Sequence, residues 1–93
     1  MARYTVEVYG AGLGRSSQRQ VELDLDPEVT LGDVLAALSS QAPALAGRVL
    51  GDDGRSLKPP YVMNVNGLVF VDDLSVRPHD GDRILLMAPP AGG

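Results

Sequence analysis

Apolar and polar residues alternate from the start of the chain. Tyr4, Val6 and Val8 fall on one side of an extended segment and Thr5, Glu7 and Tyr9 on the other, the two-residue period of a half-buried strand. A second alternation, Val21, Leu23 and Leu25 against Gln20, Glu22 and Asp24, follows the turn-rich stretch Gly10 to Arg19, so the two strands read as a hairpin. The period then changes. Leu31, Val34, Leu35 and Leu38 recur at helical spacing, and Pro43 marks the stop a little beyond. Thr30 and Asp33 stand three apart at the start of this helix, the spacing of a capping box, with Asp33 also favoured by the positive end of the helix dipole.

From Ala44 to Pro60 the pattern thins to one helical turn (ALAGRVL), a polar loop (GDDGRS) and a Pro-Pro stop. YVMNV and LVFV then flank Asn66-Gly67, a strong hairpin-turn signal. After a compact turn-rich connection, Arg83 to Met87 reads as a last strand. The order strand, strand, helix, strand, strand, strand predicts an α+β fold of the β-grasp (ubiquitin-like) type, a mixed sheet of about five strands packed on one main helix. Residues 1–87 form the domain and residues 88–93 a flexible tail. Ile84, Leu85, Leu86 and Met87 are apolar on both strand faces, the pattern of a strand covered on both sides. Either the Ala44–Leu50 turn covers the second face or a partner protein does.

Composition narrows the function. Ninety-three residues bound the chain to one domain, and 44% hydrophobic with 22% charged residues is ordinary globular usage with no membrane span. The net charge of −4, with acids scattered and no basic stripe, argues against nucleic acid. The opening MARYTVEVYG interleaves polar with apolar residues and lacks the apolar region of a secretory signal, from which a cytoplasmic location is expected. Cys is absent, so no disulfide, thiolate metal site or side-chain thioester is available.

Several sharper motifs give way to plainer readings. Gly10-Ala11-Gly12-Leu13-Gly14 lacks the following helix and full spacing of a phosphate loop. His79, the one histidine, stands in a turn without a nucleophile or orienting partner. Asp52-Asp53, Asp72-Asp73 and Asp80/Asp82 lack calcium-loop spacing and read as solvated turn acids with a secondary role in docking a basic surface, so no metal is expected. Phe70, the only Phe, sits beside Leu68 on a strand and serves either core or interface, with core the first reading because large aromatics usually supply burial.

The chain ends Ala88-Pro89-Pro90-Ala91-Gly92-Gly93. Two prolines cannot donate to a ladder, so the sheet stops after Met87. An extended polyproline run over these six residues reaches roughly 20 Å at ~3.1–3.3 Å per residue. Glycines without Cβ can thread a narrow channel and leave a terminal carboxylate open to attack on a nucleotide phosphate.

The residues Val65-Asn66-Gly67, His79 to Leu86 (HDGDRILL) and Ala88 to Gly93 (APPAGG), together with the element order, resemble the MoaD/ThiS-type sulfur carriers over nearly the whole chain. Among these the chain looks most like the small subunit of molybdopterin synthase. The resemblance implies that Gly93 is adenylated with ATP by a ubiquitin-activating-like adenylyltransferase and converted to a thiocarboxylate, with Gly92 its necessary neighbour. It implies no permanently bound cofactor and no catalysis by the chain alone. A larger sulfur-acceptor enzyme, such as the molybdopterin synthase large subunit, would receive the sulfur. Leu68, Phe70, Leu86, Pro89, Pro90 and Ala91 are the candidate partner contacts. A carrier for thiamin, cysteine or specialised-metabolite biosynthesis, and a protein modifier conjugated through the same glycine, remain alternatives.

Overall fold

A computed structural model describes residues 1–10 and 18–88. The expected order is present: β1 (Ala2–Tyr9), β2 (Gln18–Leu25), α1 (Leu31–Gln41), a short 3₁₀ turn (Pro43–Leu45), β3 (Val62–Val65), β4 (Val69–Val71) and β5 (Arg83–Met87). They form one mixed sheet in the order β2-β1-β5-β3-β4, in which β1 and β5 run parallel at the centre and the other pairs are antiparallel. This is the β-grasp, ubiquitin-like fold.

The central pair explains the burial. Val6 stands opposite Ile84 and Val8 opposite Leu86, and all four are buried with Tyr4, Leu23 and Met63. Facing residues on paired strands share one side of a sheet, and α1 lies over this one. Leu31, Val34, Leu35 and Leu38 complete the core at the spacing expected from the sequence. The helix begins where its cap predicts: Asp33 N donates to Thr30 Oγ1 (3.2 Å) and Thr30 N to Asp33 Oδ2 (2.9 Å), and Arg55 Nη2 donates to Asp33 Oδ1 (2.7 Å).

The Ala44–Leu50 turn does not cover the second face. Leu45, Val49 and Leu50 are buried in the same core cluster as the α1 residues, so the segment extends the helix layer. Among the described residues no helix covers the opposite face of the sheet, where Leu85 and Met87 are half-buried on β5. No helix among the described residues is long and apolar enough to cross a membrane.

Candidate functional site

The open face is assembled by register. Across its middle, Glu7 of β1, Leu85 of β5, Asn64 of β3 and Phe70 of β4 stand in one row. Tyr9, Met87 and Val62 form the next row toward the end of β5. Val62, Phe70, Leu85 and Met87 therefore make an apolar ring around the Asn64 amide. The ring continues at the β4 side into an apolar groove of ≈ 640 Å³ in which Val62 and Phe70 meet Leu57, Tyr61 and Asp72.

The hairpin turn controls the far corner. Asn66 (φ 59°) and Gly67 (φ 73°) both take the left-handed region, as a type I′ turn demands and as Asn-Gly supplies at least cost. Leu68 N donates to Val65 O (3.0 Å), yet the ladder resumes with Val65 opposite Val69. Leu68 is thus the extra residue on its strand, and it is 86% exposed. Asn66 also ties the turn to β5: it receives Arg83 N on Oδ1 (2.8 Å), donates its backbone N–H to Arg83 O (2.7 Å) and its Nδ2 to Asp82 Oδ1 (3.0 Å).

At the other end β1 and β5 finish side by side, Tyr9 opposite Met87. Ala88 N donates to Tyr9 O (3.4 Å). A Cβ on neighbouring Gly10, whose φ is +147°, would stand 2.6 Å from the Tyr61 hydroxyl, so only glycine fits beneath that ring. The last described residue therefore sits at the rim of the apolar ring.

Two polar groups lie inside this face. Glu7 is only 5% exposed, its carboxylate receiving Arg83 Nε (2.8 Å) and the Tyr9 hydroxyl. The Arg83 bond first, then that of Tyr9, holds the Glu7 carboxyl below its ordinary range, and the Glu7 bond in turn raises Arg83 and Tyr9. Asn64 is equally covered, and its side-chain oxygen has no hydrogen-bond partner.

Measured against the sequence, Phe70 is a surface and not a core residue: it is 66% exposed because Asn64, its cross-strand partner, faces away from the helix. Leu86 is corrected as well. At 0% exposure it points into the core opposite Val8, so it contacts no partner, and Leu85 and Met87 hold the outward positions beside it. An uninterrupted ILLM run offers no alternation from which to tell one face from the other. Asn64 and the Glu7–Arg83 pair were also missed, since neither signals its face until the strands are in register. Pro89, Pro90, Ala91, Gly92 and Gly93, like the glycine-rich stretch before β2, lie outside the described residues. Two of the turn acids are held by local bonds, Asp53 receiving Arg55 N and Ser56 Oγ, and Asp73 receiving Ser75 N and Oγ.

Comparison with known proteins agrees with this architecture. Small archaeal modifier protein 3 of Haloferax volcanii is 35% identical over 78 residues, spanning 82% of this chain and 83% of that protein. Small archaeal modifier protein 1 of the same organism is 33% identical over 78 residues, spanning 84% and 86%. The crystal structure of SAMP1 from Haloferax volcanii superposes with a TM-score of 0.77 at 32% identity, covering 98% of this chain and 99% of that one. These relatives are small ubiquitin-like modifiers, not catalysts. A sequence model of the ThiS family matches residues 12–93, and the chain belongs to that family, among proteins of the ubiquitin-like sulfur-carrier and modifier type.

Proposed function

We propose that this protein is a sulfur carrier whose Gly93 carboxylate is activated and thiocarboxylated by a ubiquitin-activating-like adenylyltransferase. The observation that carries the reading is the position of Ala88: the central strand of the domain delivers the chain to the rim of an open apolar face, so one partner surface can hold the face and receive the residues after Ala88. In the activation step a Gly93 carboxylate oxygen bonds the α-phosphorus of ATP and pyrophosphate leaves. A sulfur nucleophile then forms the C–S bond as the bond to AMP breaks. The protein is a co-substrate in both steps, and the absence of Cys leaves no side-chain thiol to compete for the activated carbonyl.

The acceptor we favour is a molybdopterin synthase large subunit; the Ala44–Pro60 segment between helix and third strand is longer than thiamin carriers typically carry, which favours this acceptor, or that of a cysteine or specialised-metabolite carrier, over thiamin. Co-purification with a thiazole synthase or a cysteine-synthase-like enzyme instead would reassign the pathway. Intact-protein mass spectrometry after incubation with the activating enzyme, ATP and a sulfur source tests the chemistry. Oxygen-for-sulfur exchange located on Gly93 supports carriage, and retained activation after deletion of Gly93 overturns it.

The names of the two Haloferax volcanii relatives favour a second reading, a modifier joined to protein lysines through the same glycine. Isopeptide-linked adducts that survive thiol reagents in cell extract would establish it. Chains of the protein on itself would have to use Lys58, the sole lysine, or the N-terminal amine.

A further inference from the structure

The open face contains an imbalance that nothing among the described residues corrects. Asn64 is 5% exposed, and its Oδ1 is buried without a partner. A buried acceptor left unpaired forfeits the hydrogen bond it had with water, and native structures keep few such groups without a reason. The residue sits at the centre of the face, between Leu85 and Phe70 in the ladder, where Val or Leu would pack without this cost. The χ2 torsion of Asn is broad, so a modest turn of the amide carries the oxygen up to a donor arriving over the ring.

The charges of the same face are also one-sided. Arg3 is held by Asp24 (3.0 Å) and Glu22 (3.8 Å), Arg83 is spent on Glu7, and Asp72 lines the groove beside Phe70. Two arginines thus meet four carboxylates around an apolar centre. A complementary surface is apolar in the middle and positive at its margin.

We propose that this face docks the activating enzyme through an apolar, basic-rimmed surface carrying one hydrogen-bond donor, an N–H or O–H that bonds Asn64 Oδ1, and that Asn64 determines the specificity of the complex. The inference rests on the activation reading above and names the groups that the partner must present. Apolar contact supplies area, whereas the donor–acceptor pair favours a surface that presents a donor, because only such a surface supplies the bond that the buried oxygen lacks in the free protein.

The test is ATP–pyrophosphate exchange by the source organism's ubiquitin-activating-like adenylyltransferase, titrated with wild type, Asn64→Leu and a chain lacking Gly93. Asn64→Leu removes the unpaired oxygen, so its melting temperature is expected to equal or exceed wild type. Its KM for the chain should rise about tenfold with kcat little changed, since the enzyme's donor is then buried unpaired. The chain lacking Gly93 should inhibit wild type with a Ki near the wild-type KM, because its docking face is intact. A KM for Asn64→Leu equal to or below wild type overturns the proposal.

A second measurement stands should the leucine variant fold poorly. In ¹⁵N-labelled wild type, the Asn64 side-chain amide resonances should move on addition of the enzyme without ATP, and unmoved resonances in a formed complex overturn the proposal. If the wild type supports no exchange at all, the activation reading falls and this inference falls with it. If it supports exchange while Asn64→Leu matches it, only this inference falls.

Discussion

Asp33 shows how much one side chain can be asked to do. Its carboxylate receives the Thr30 backbone N–H, Arg55 Nη2 and the Thr30 hydroxyl, and these bonds, the backbone one foremost, lower its pKa from 3.8 to about 2. A carboxyl whose pKa is depressed on folding contributes stability above its unfolded pKa and loses it as pH falls through the folded one. The melting temperature should therefore show a decline between pH 3.8 and about 2 that Asp33→Asn removes. Thr30→Ala should cost about 1 kcal/mol in a denaturant titration at neutral pH, the usual worth of an N-cap hydroxyl. Glu7 follows the same sign. Its pKa is lowered from 4.5 chiefly by Arg83, so Arg83→Leu should destabilise most at neutral pH, where the buried carboxylate is left charged. The penalty should shrink as the pH falls below 4.5, the ordinary glutamate value, toward the lowered pKa of Glu7. A pH-independent loss would show that Arg83 acts only by packing.

At the scale of elements, α1 is the piece on which the sheet depends. Four of its apolar residues lie in the common core, and the helix has no second face to bury. Leu35, fully buried at its middle, should cost about 2–5 kcal/mol on replacement by Ala, the sum of lost transfer and residual cavity, and a near-neutral denaturant midpoint would contradict the packing. The β3–β4 hairpin is built differently. Its turn is fixed by Asn66 and Gly67, while three of the residues it presents, Leu68, Val69 and Phe70, remain exposed. Such a short edge element gains its order from register with β5 and contributes surface more than core.

For the whole molecule the division we propose is between a closed core and the terminal residues that follow it in sequence. The buried cluster is completed by Ile84 and Leu86, and Pro89 and Pro90 cannot extend the ladder. Deleting Gly93 should accordingly leave the denaturant midpoint of unfolding unchanged while ATP-dependent activation disappears, stability and activation being read on the same preparation. A shift in midpoint would mean that the terminal residues belong to the folded unit.

The sequence by itself determined the elements and their order, because each signal is local. Alternation marks β1 and β2 within one strand length, Thr30 and Asp33 cap a helix within one turn, and Asn66-Gly67 demands φ values that few other pairs tolerate. The same local chemistry singles out a chain end of two prolines and two glycines. Only the tertiary structure decided which side of the sheet is core and which is turned away from the helix. The run Ile84-Leu85-Leu86-Met87 is apolar throughout, so its inward and outward members separate only when β5 is placed beside β1, with Leu86 opposite Val8. That pairing joins residues more than seventy positions apart, buries Leu86, turns Leu85 and Met87 outward and sets Asn64 between Leu85 and Phe70. A strand's two faces differ by a shift of one residue, and the partner strand, not the strand's own composition, fixes that shift.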